Sequence, residues 1–453
     1  MPLSAPGLIL AAPASGSGKT VTTLALIRAL TRQGRCVAAA KIGPDYIDPA
    51  YHAAAGGRAC LNLDGWAMRP ALLGALVADL SREADIVIAE GVMGLFDGAG
   101  LAGRTGGAWG EGSTADAAAA TGWPVLLIVD AGGQAASAAA MVAGFTRYRP
   151  DVTVAGVLFN RIGGPRHAAM IAAAMADKVP EIAVCGFLPR DDRLALPSRH
   201  LGLVQASEHD AMDRFLDGAA DLIEEHVSID GLIALARPGT MVSSGQAVAP
   251  LPPFGQRIAV AQDRAFAFCY PATLTGWRDA GAALSFFSPL ADEAPDPDAD
   301  AVYLPGGYPE LHAGRLAANG HFRAGLDAAA TRGAAVFGEC GGYMVLGGGL
   351  IDGEGARHAM AGLLAVETSF ATRRLHLGYR VLRTIAESPL GPRGTAFRGH
   401  EFHYATVLRE GEGAPLFEAR NAAGDVMGAV GSRRGTVAGS FIHLIDSAPP
   451  EGA

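Results

Sequence analysis

At 453 residues the chain is longer than one core usually supports, since cores stop growing at about 250 to 300 residues, so two or three domains are expected. A composition that is 50% hydrophobic and 18% charged supplies enough apolar side chains for large cores, which excludes a disordered chain. The 36 Lys and Arg against 45 Asp and Glu leave a net charge of −9 with no basic cluster, which argues against nucleic acid as a partner.

The opening MPLSAPGLILAAP has no basic leader region and runs into a glycine-rich loop rather than a cleavage site. Apolar runs all fall short of the roughly 18 residues that a membrane span needs, so a soluble, cytoplasmic protein is expected. Cys36, Cys60, Cys185, Cys269 and Cys340 stand singly with no C-x-x-C pair, which argues against a disulfide framework and against zinc.

Up to about residue 228, short apolar runs alternate with Ala-rich helical stretches. Gly7–Ala12, Cys36–Lys41, Asp85–Glu90, Val125–Asp130, Val154–Asn160 and Ala183–Leu188 read as strands, continuous rather than alternating, as a buried parallel sheet requires. Helices between them imply a doubly wound α/β layer whose strands all end on one edge. Ala236–Gln256, rich in Pro, Gly and Ser, reads as a linker. Beyond it Arg257–Gln262, Ala283–Phe287, Ala301–Leu304 and Ala334–Gly338 read as a second parallel set, followed up to Ile445 by shorter, partly antiparallel strands. The expected domains are 1–235 and 257–449, joined by 236–256.

The first strand leads into Pro13-Ala14-Ser15-Gly16-Ser17-Gly18-Lys19-Thr20 and then a helix. That order surrounds a phosphate with backbone N–H groups and a helix N-terminus, with Lys19 on the terminal phosphates and the Thr20 hydroxyl offered to magnesium. Pro13 stands where the strict pattern has Gly. The second strand ends in Lys41-Ile42-Gly43-Pro44-Asp45-Tyr46-Ile47-Asp48-Pro49, and a third delivers Glu90 followed by Gly91–Gly98 with Asp97. A lone acid after a strand is usually a cap or a surface charge. Three acidic loops beside one phosphate loop point instead to metal binding and charge management. Asn160-Arg161, after a later strand, reads equally as a contact to a base or as a simple polar loop.

In the second half, Ala334–Met344 is an apolar strand, a glycine-flanked Cys340 and a helical start. Small neighbours permit the tight bend of a nucleophile elbow, expected to push the thiol into the open at a helix N-terminus that favours thiolate. Gly341 would supply one oxyanion N–H, and Gly307, in the loop Leu304-Pro305-Gly306-Gly307-Tyr308-Pro309-Glu310, a second. Val437–Leu444 places His443 at the end of a short apolar strand. Taken singly, the cysteine and the histidine read as ordinary core residues.

Pro13–Thr20, Lys41–Pro49 and Glu90–Gly98 resemble the N-terminal domain of cobyrinic acid a,c-diamide synthases, within the dethiobiotin-synthetase-like group. The PGGYPE loop, the GECGG elbow and the late GSFIH segment resemble class I glutamine amidotransferases as fused to cobyrinate and cobyrate synthases. Together the matches run in family order from about Gly7 to Asp446. The resemblance implies an α/β chain in which a P-loop parallel-sheet domain precedes a class I glutamine amidotransferase α/β domain. It also implies ATP-dependent activation of a and c acetate carboxylates of cobyrinic or hydrogenobyrinic acid, with ammonia drawn from glutamine. By that likeness Ser15, Gly16, Ser17, Gly18, Lys19, Thr20, Lys41 and Asn160 bind ATP, Thr20, Asp48 and Glu90 hold Mg2+, and Asp45, Ile47 and Asp97 meet the substrate. Cys340 attacks glutamine, His443 is its base, and a homodimer is expected. Many class I glutaminases carry Glu two residues after the histidine; here that position is Ile445, which implies a Cys–His dyad, with Asp446 a candidate support. The competing readings are a synthetase for cobyric acid or nickel-sirohydrochlorin, and a partition-type P-loop switch with a merely docking second domain. The missing second P-loop lysine counts against the switch.

Overall fold

The computed structural model describes residues 5–100, 107–191, 194, 198–199, 202–203, 211–241, 248–411 and 413–448. Residues 242–247 of the expected linker lie outside them. The chain divides between Gln246 and Ala247 into two compact units, with the short segment Ala67–Arg69 grouped with the second.

In the first unit β1 (Pro6–Ala11), α1 (Lys19–Arg32), β2 (Val37–Ile42), α2 (Asp48–Gly56), β3 (Leu61–Leu63), α3 (Pro70–Ser81) and β4 (Ile86–Glu90) follow one another. Then come α4 (Thr114–Thr121), β5 (Val125–Asp130), α5 (Ala136–Tyr148), β6 (Val154–Ile162), α6 (Pro165–Lys178) and β7 (Ala183–Pro189). A two-residue ladder of β8 (Ser198–Arg199) and β9 (Gly202–Leu203) precedes α7 (Met212–His226), α8 (Ile229–Leu235) and β10 (Arg237–Pro238). The strand order is β3-β2-β4-β1-β5-β6-β7, all parallel. β2 and β4 are buried along their whole length, which is why their apolar runs are continuous. Local chemistry fixes the helix starts: Pro opens α2 and α6, and Ser113 with Asp116 forms a capping box on α4. α7 lies against α1 with an apolar face and charged contacts, Arg28 to Asp217 at 2.8 Å and Arg32 to Asp221 at 2.6 Å.

The expected strands appear within one or two residues, and β3 and the two-residue β8, β9 and β10 are additions. The linker expectation needs correction at both ends. Arg237 and Pro238 extend the sheet antiparallel to β1, and Thr240 N–H donates to the Thr121 carbonyl at 2.8 Å. Backbone groups at the start of β1 thereby find partners. At the other end Leu251 is buried and the Pro250 carbonyl accepts from Ser447 N–H at 3.0 Å, so both flanks belong to folded units.

The second unit opens with β11 (Arg257–Ala261), α9 (Pro271–Asp279), β12 (Ala283–Phe287), β13 (Ala301–Leu304), α10 (Ala313–Ala318), α11 (Gly320–Thr331), β14 (Ala335–Glu339) and α12 (Gly341–Leu346). A small sheet of β15 (Gly349–Ile351), β16 (Arg357–Ala359), β17 (Val366–Ser369) and, later, β20 (Thr406–Glu410) interrupts the main one. The main sheet continues with β18 (His376–Thr384), β19 (Ala396–His403), β21 (Ala414–Asn421), β22 (Val426–Arg434), β23 (Val437–Ser440) and β24 (Ile442–Ser447). Its order is β12-β11-β13-β14-β23-β22-β21-β18-β19-β24, parallel as far as β23 and antiparallel beyond. Only Phe441 separates β23 from β24, so the antiparallel path returns to its own start. That return carries His443 on β24 back to the end of β14, where Cys340 sits.

Candidate active sites

In the first unit the phosphate loop joins β1 to α1. Gly18 has φ +93°, and a Cβ there would stand 2.3 Å from Asn160 Nδ2, so only glycine fits. Ser15 and Gly16 are exposed, Ser17 Oγ–H donates to the Ala14 carbonyl at 2.8 Å, and Asn160 Nδ2–H donates to the Ser17 carbonyl at 3.0 Å. Asn160, expected at the base, braces the loop with its buried amide. It also lines one side of a 500 Å³ cavity with Gly18, Thr22, Asp130, Arg161 and Leu194.

Lys19 Nζ donates to the Met93 carbonyl at 2.6 Å. Burial lowers its pKa against the opposing pull of Glu90. Thr20 Oγ1–H donates to Glu90 Oε1 at 2.7 Å and lies 3.4 Å from Asp48 Oδ2. Lys41 Nζ bridges the same carboxylates, at 2.6 Å from Asp48 and 2.9 Å from Glu90. Burial alone would lower the Lys41 pKa, but Asp48 and Glu90 outweigh it and hold the ammonium charged. Burial pushes Asp48 up to about 7, helped by Asp45. Glu90, which burial would raise, is held well below the usual carboxylate range by Lys41 and His52. Thr20, Asp48 and Glu90 are hard oxygen donors gathered at the P-loop, a set that suits Mg2+.

His52 was missed from sequence. Its Nε2 stands 2.7 Å from Glu90 Oε2 with the ring fully buried; burial lowers its pKa, but hydrogen bonds with Cys60 and Glu90 outweigh that and raise it to about 10. The available signal was its place four residues after Asp48 on α2, hence on the same helix face.

Three expected substrate contacts have local partners in the structure. Asp45 Oδ1 accepts from Ile47 N–H at 2.7 Å and Asp48 N–H at 3.1 Å, holding the turn into α2. Asp97 Oδ2 accepts from Gly94 N–H at 3.0 Å, closing its own loop. Ile47 is 5% exposed, so its side chain is core rather than surface. In each case a local hydrogen bond or apolar burial claims the side chain.

In the second unit Cys340 has φ 46° and ψ −106°, a conformation that costs about 1–3 kcal/mol for a non-glycine residue. Its N–H donates to the Ser440 carbonyl at 2.8 Å, tying the elbow to the end of β23. The point where a Gly306 Cβ would sit is 2.3 Å from His443 Cε1, 3.0 Å from His443 Nε2 and 3.2 Å from Cys340 Cβ, so thiol and imidazole flank one glycine. Gly307 N lies 3.0 Å from where a Gly341 Cβ would be, which brings the two expected oxyanion donors side by side.

The exposed, thiolate-prone cysteine expected from the elbow is corrected. Cys340 is 1% exposed, and burial, with Glu310 adding to it, pushes the thiol far up despite a hydrogen bond from the Gly341 backbone. Burial, then His400 and His403, lowers His443 to about 3. The pair therefore rests as neutral thiol and neutral imidazole. Asp446, a candidate support for His443, is instead held by Arg69 at 2.8 Å in the same unit.

Gly306→Ala would drive a methyl group into the imidazole. A displacement of that order is expected to cost about 10²-fold in glutamine-dependent turnover while ammonia-dependent turnover stays within about twofold, as steady-state assays with either nitrogen donor will show.

Residues 398–403 lie on β19. His376, Glu401 and His403 bring ligating atoms within 4.8 Å of one another. Arg380, however, grips Glu401 at 2.7 and 2.8 Å, and the two imidazoles stack at 6° and 4.6 Å. Parallel rings direct their in-plane lone pairs side by side rather than onto one ion. Phe441 extends the stack over His403 at 4.0 Å. Among the described residues no helix is long and apolar enough to cross a membrane.

Residues 8–204 match the CobQ/CobB/MinD/ParA nucleotide binding domain, and residues 257–450 the CobB/CobQ-like glutamine amidotransferase domain. The chain is 53% identical to hydrogenobyrinate a,c-diamide synthase of Brucella anthropi over 442 residues, 97% of this chain and 98% of that one. To the Rhizobium meliloti protein of the same description it is 52% identical over 444 residues, 97% of this chain and 99% of that one. The Rhodobacter capsulatus protein of that description is 53% identical over 440 residues, 97% and 98% of the two chains. With both domains in the same order and more than half the residues identical over nearly the whole length, the chain belongs to the hydrogenobyrinate a,c-diamide synthase family.

Proposed function

We propose that the protein converts the a and c acetate carboxylates of hydrogenobyrinic acid to amides, using one ATP and one glutamine for each. The names of its relatives favour the metal-free ring over cobyrinic acid. The observation that carries the reading is the strained Cys340 elbow sharing Gly306 with His443, in a chain that also holds a P-loop beside two buried acids.

A carboxylate resists attack by ammonia until one oxygen becomes a leaving group. At the P-loop the substrate carboxylate takes the γ-phosphoryl group of ATP, giving ADP and an acyl phosphate. Loop N–H groups and Lys19 hold the phosphates, Lys19 exchanging the Met93 carbonyl for phosphate oxygen. Thr20, Asp48 and Glu90 would hold Mg2+, which supplies charge neutralisation on the phosphates when bound. Lys41 keeps the two acids from repelling each other. The 500 Å³ cavity beyond Gly18 is the place for the nucleoside. Asp45 and Asp97 hold the shapes of their loops through the backbone N–H groups they accept.

At the second site His443 Nε2 accepts the Cys340 proton as the thiol attacks the glutamine amide carbon. With both groups neutral at rest, proton transfer accompanies attack rather than preceding it. Gly307 and Gly341 N–H groups stabilise the oxyanion, His443 returns the proton to departing ammonia, and water hydrolyses the thioester to glutamate. Ammonia then displaces phosphate from the acyl phosphate. A cytoplasmic homodimer completes the reading, its association state checked by sedimentation.

The test is incubation with hydrogenobyrinic acid, MgATP and glutamine labelled with ¹⁵N in the side-chain amide. Two labelled amides per ring are expected by mass spectrometry. Absence of label from both hydrogenobyrinic and cobyrinic acid would remove the proposal, and label on cobyrinic acid alone would reassign the ring.

A further inference from the structure

The residue two places after His443 is Ile445, buried hydrocarbon, and the carboxylate at the third place, Asp446, is held by Arg69. Another acid reaches the imidazole from a different strand. Glu339 ends β14, immediately before Cys340, and is 2% exposed. Its Oε1 accepts from the N–H of Leu444, the residue following His443, at 3.0 Å. Its Oε2 accepts from the Tyr303 O–H at 2.7 Å and stands 4.0 Å from His443 Nδ1. Two donors, one from β13 and one from β24, thus fix a buried carboxylate beside the imidazole nitrogen remote from the thiol.

We propose that Glu339 is the positioning residue of His443, supplied by the strand that carries the nucleophile rather than by the strand that carries the histidine. The carboxylate keeps the Nδ1 edge of the ring on its own side, which leaves Nε2 on the side of Gly306 and Cys340. When His443 takes the thiol proton, the Nδ1–H of the imidazolium closes the 4.0 Å gap to a charge-assisted hydrogen bond. No atom is transferred to Glu339; its work is orientation and charge. A buried carboxylate so close to the site would otherwise be a cost without a return, because desolvation disfavours it. The inference rests on the reading of Cys340 and His443 as the glutamine-hydrolysing pair.

The role has a pH signature. Burial raises Glu339 to about 7, against the opposing hydrogen bonds from Leu444 and Tyr303. The other titratable groups bearing on it are Cys269 and Tyr303 on one side and Cys340 and His443 on the other. Only the ionised carboxylate can pair with imidazolium. Glutamine-dependent kcat should therefore fall as pH drops through about 7, where Glu339 takes up its proton.

The experiment measures kcat and KM for glutamine from pH 5.5 to 9 in the full synthetase reaction, with ammonia-dependent amidation as the internal control. Glu339→Gln is expected to lower kcat about 10²-fold with KM changed less than about threefold, and to abolish the acid limb. Tyr303→Phe removes a hydrogen bond that holds the carboxylate ionised, so the limb should move to higher pH with a smaller loss at pH 9. If Glu339→Gln keeps both kcat and limb, or if it fails to fold and Tyr303→Phe leaves the limb in place, the proposal is overturned. Cys340→Ser, run alongside, separates the two readings. Loss there with retention in Glu339→Gln removes only the positioning role, whereas retention in both removes the Cys340 assignment as well.

Discussion

Replacing Cys340 by Ser is expected to lower glutamine-dependent amidation by at least about 10³-fold while ammonia-dependent amidation stays within about twofold. The size follows from chemistry. A serine hydroxyl is a far weaker nucleophile than sulfur, and the neutral His443, held at about 3, is too weak a base to compensate. The selectivity follows from geometry, because Cys340 and His443 meet around Gly306 whereas the phosphate-binding residues surround Gly18 in the other unit. Serine nearly matches cysteine in volume, so the elbow, already strained at φ 46°, needs no further adjustment. Rates with glutamine and with ammonium chloride at several pH values, on protein of unchanged melting temperature, check the result. Equal loss with both nitrogen donors would contradict the separation of the two sites.

Lys19→Ala is the mirror image. It removes the cation that the P-loop offers to the terminal phosphates, and amidation from either nitrogen donor is expected to fall about 10²- to 10³-fold. Lys41 cannot substitute, since its ammonium is committed to Asp48 and Glu90 at 2.6 and 2.9 Å. The change should not harm folding: burial disfavours the Lys19 ammonium, which donates to the Met93 carbonyl, so a small side chain relieves desolvation as well as losing a hydrogen bond. Lys41→Met behaves differently, because it leaves two buried acids facing each other and should cost about 3–5 kcal/mol in stability. Comparing thermal unfolding of the two variants with their amidation rates separates a phosphate ligand from a structural cation.

Much of the fold was legible because the central parallel strands are buried on both faces and so read as unbroken apolar runs; β5 and β13 were expected at the bounds observed, and so was β12, an edge strand that is partly exposed. The P-loop and the elbow were legible for a related reason, since glycine beside a strand end marks where backbone must bend sharply or approach closely. What escaped was the destination of side chains. Asp45 and Asp97 look like ligands in a one-dimensional text, but each answers an N–H two or three residues away. Ile47 sits between two acids in sequence and inside the core in space. Asn160 binds a carbonyl 143 positions earlier, and Asp446 an arginine 377 positions earlier, distances at which spacing carries no information. The same holds for Glu339, which was visible in the elbow motif but acquires meaning only when β24 returns beside β14. The depth of Cys340 was also hidden. An elbow motif specifies backbone shape, while burial depends on α12, the Gly306 loop and β24 closing around it.

On this reading the P-loop half activates a carboxylate as an acyl phosphate for ammonia made by the cysteine half. Hydrogenobyrinic acid carrying ¹⁸O in its acetate carboxylates tests it most directly, with released phosphate analysed by mass spectrometry. One ¹⁸O is expected to appear in phosphate for each amide formed, because the oxygen that leaves the substrate is the one that took the phosphoryl group. Phosphate free of ¹⁸O, with amides still accumulating, would contradict it.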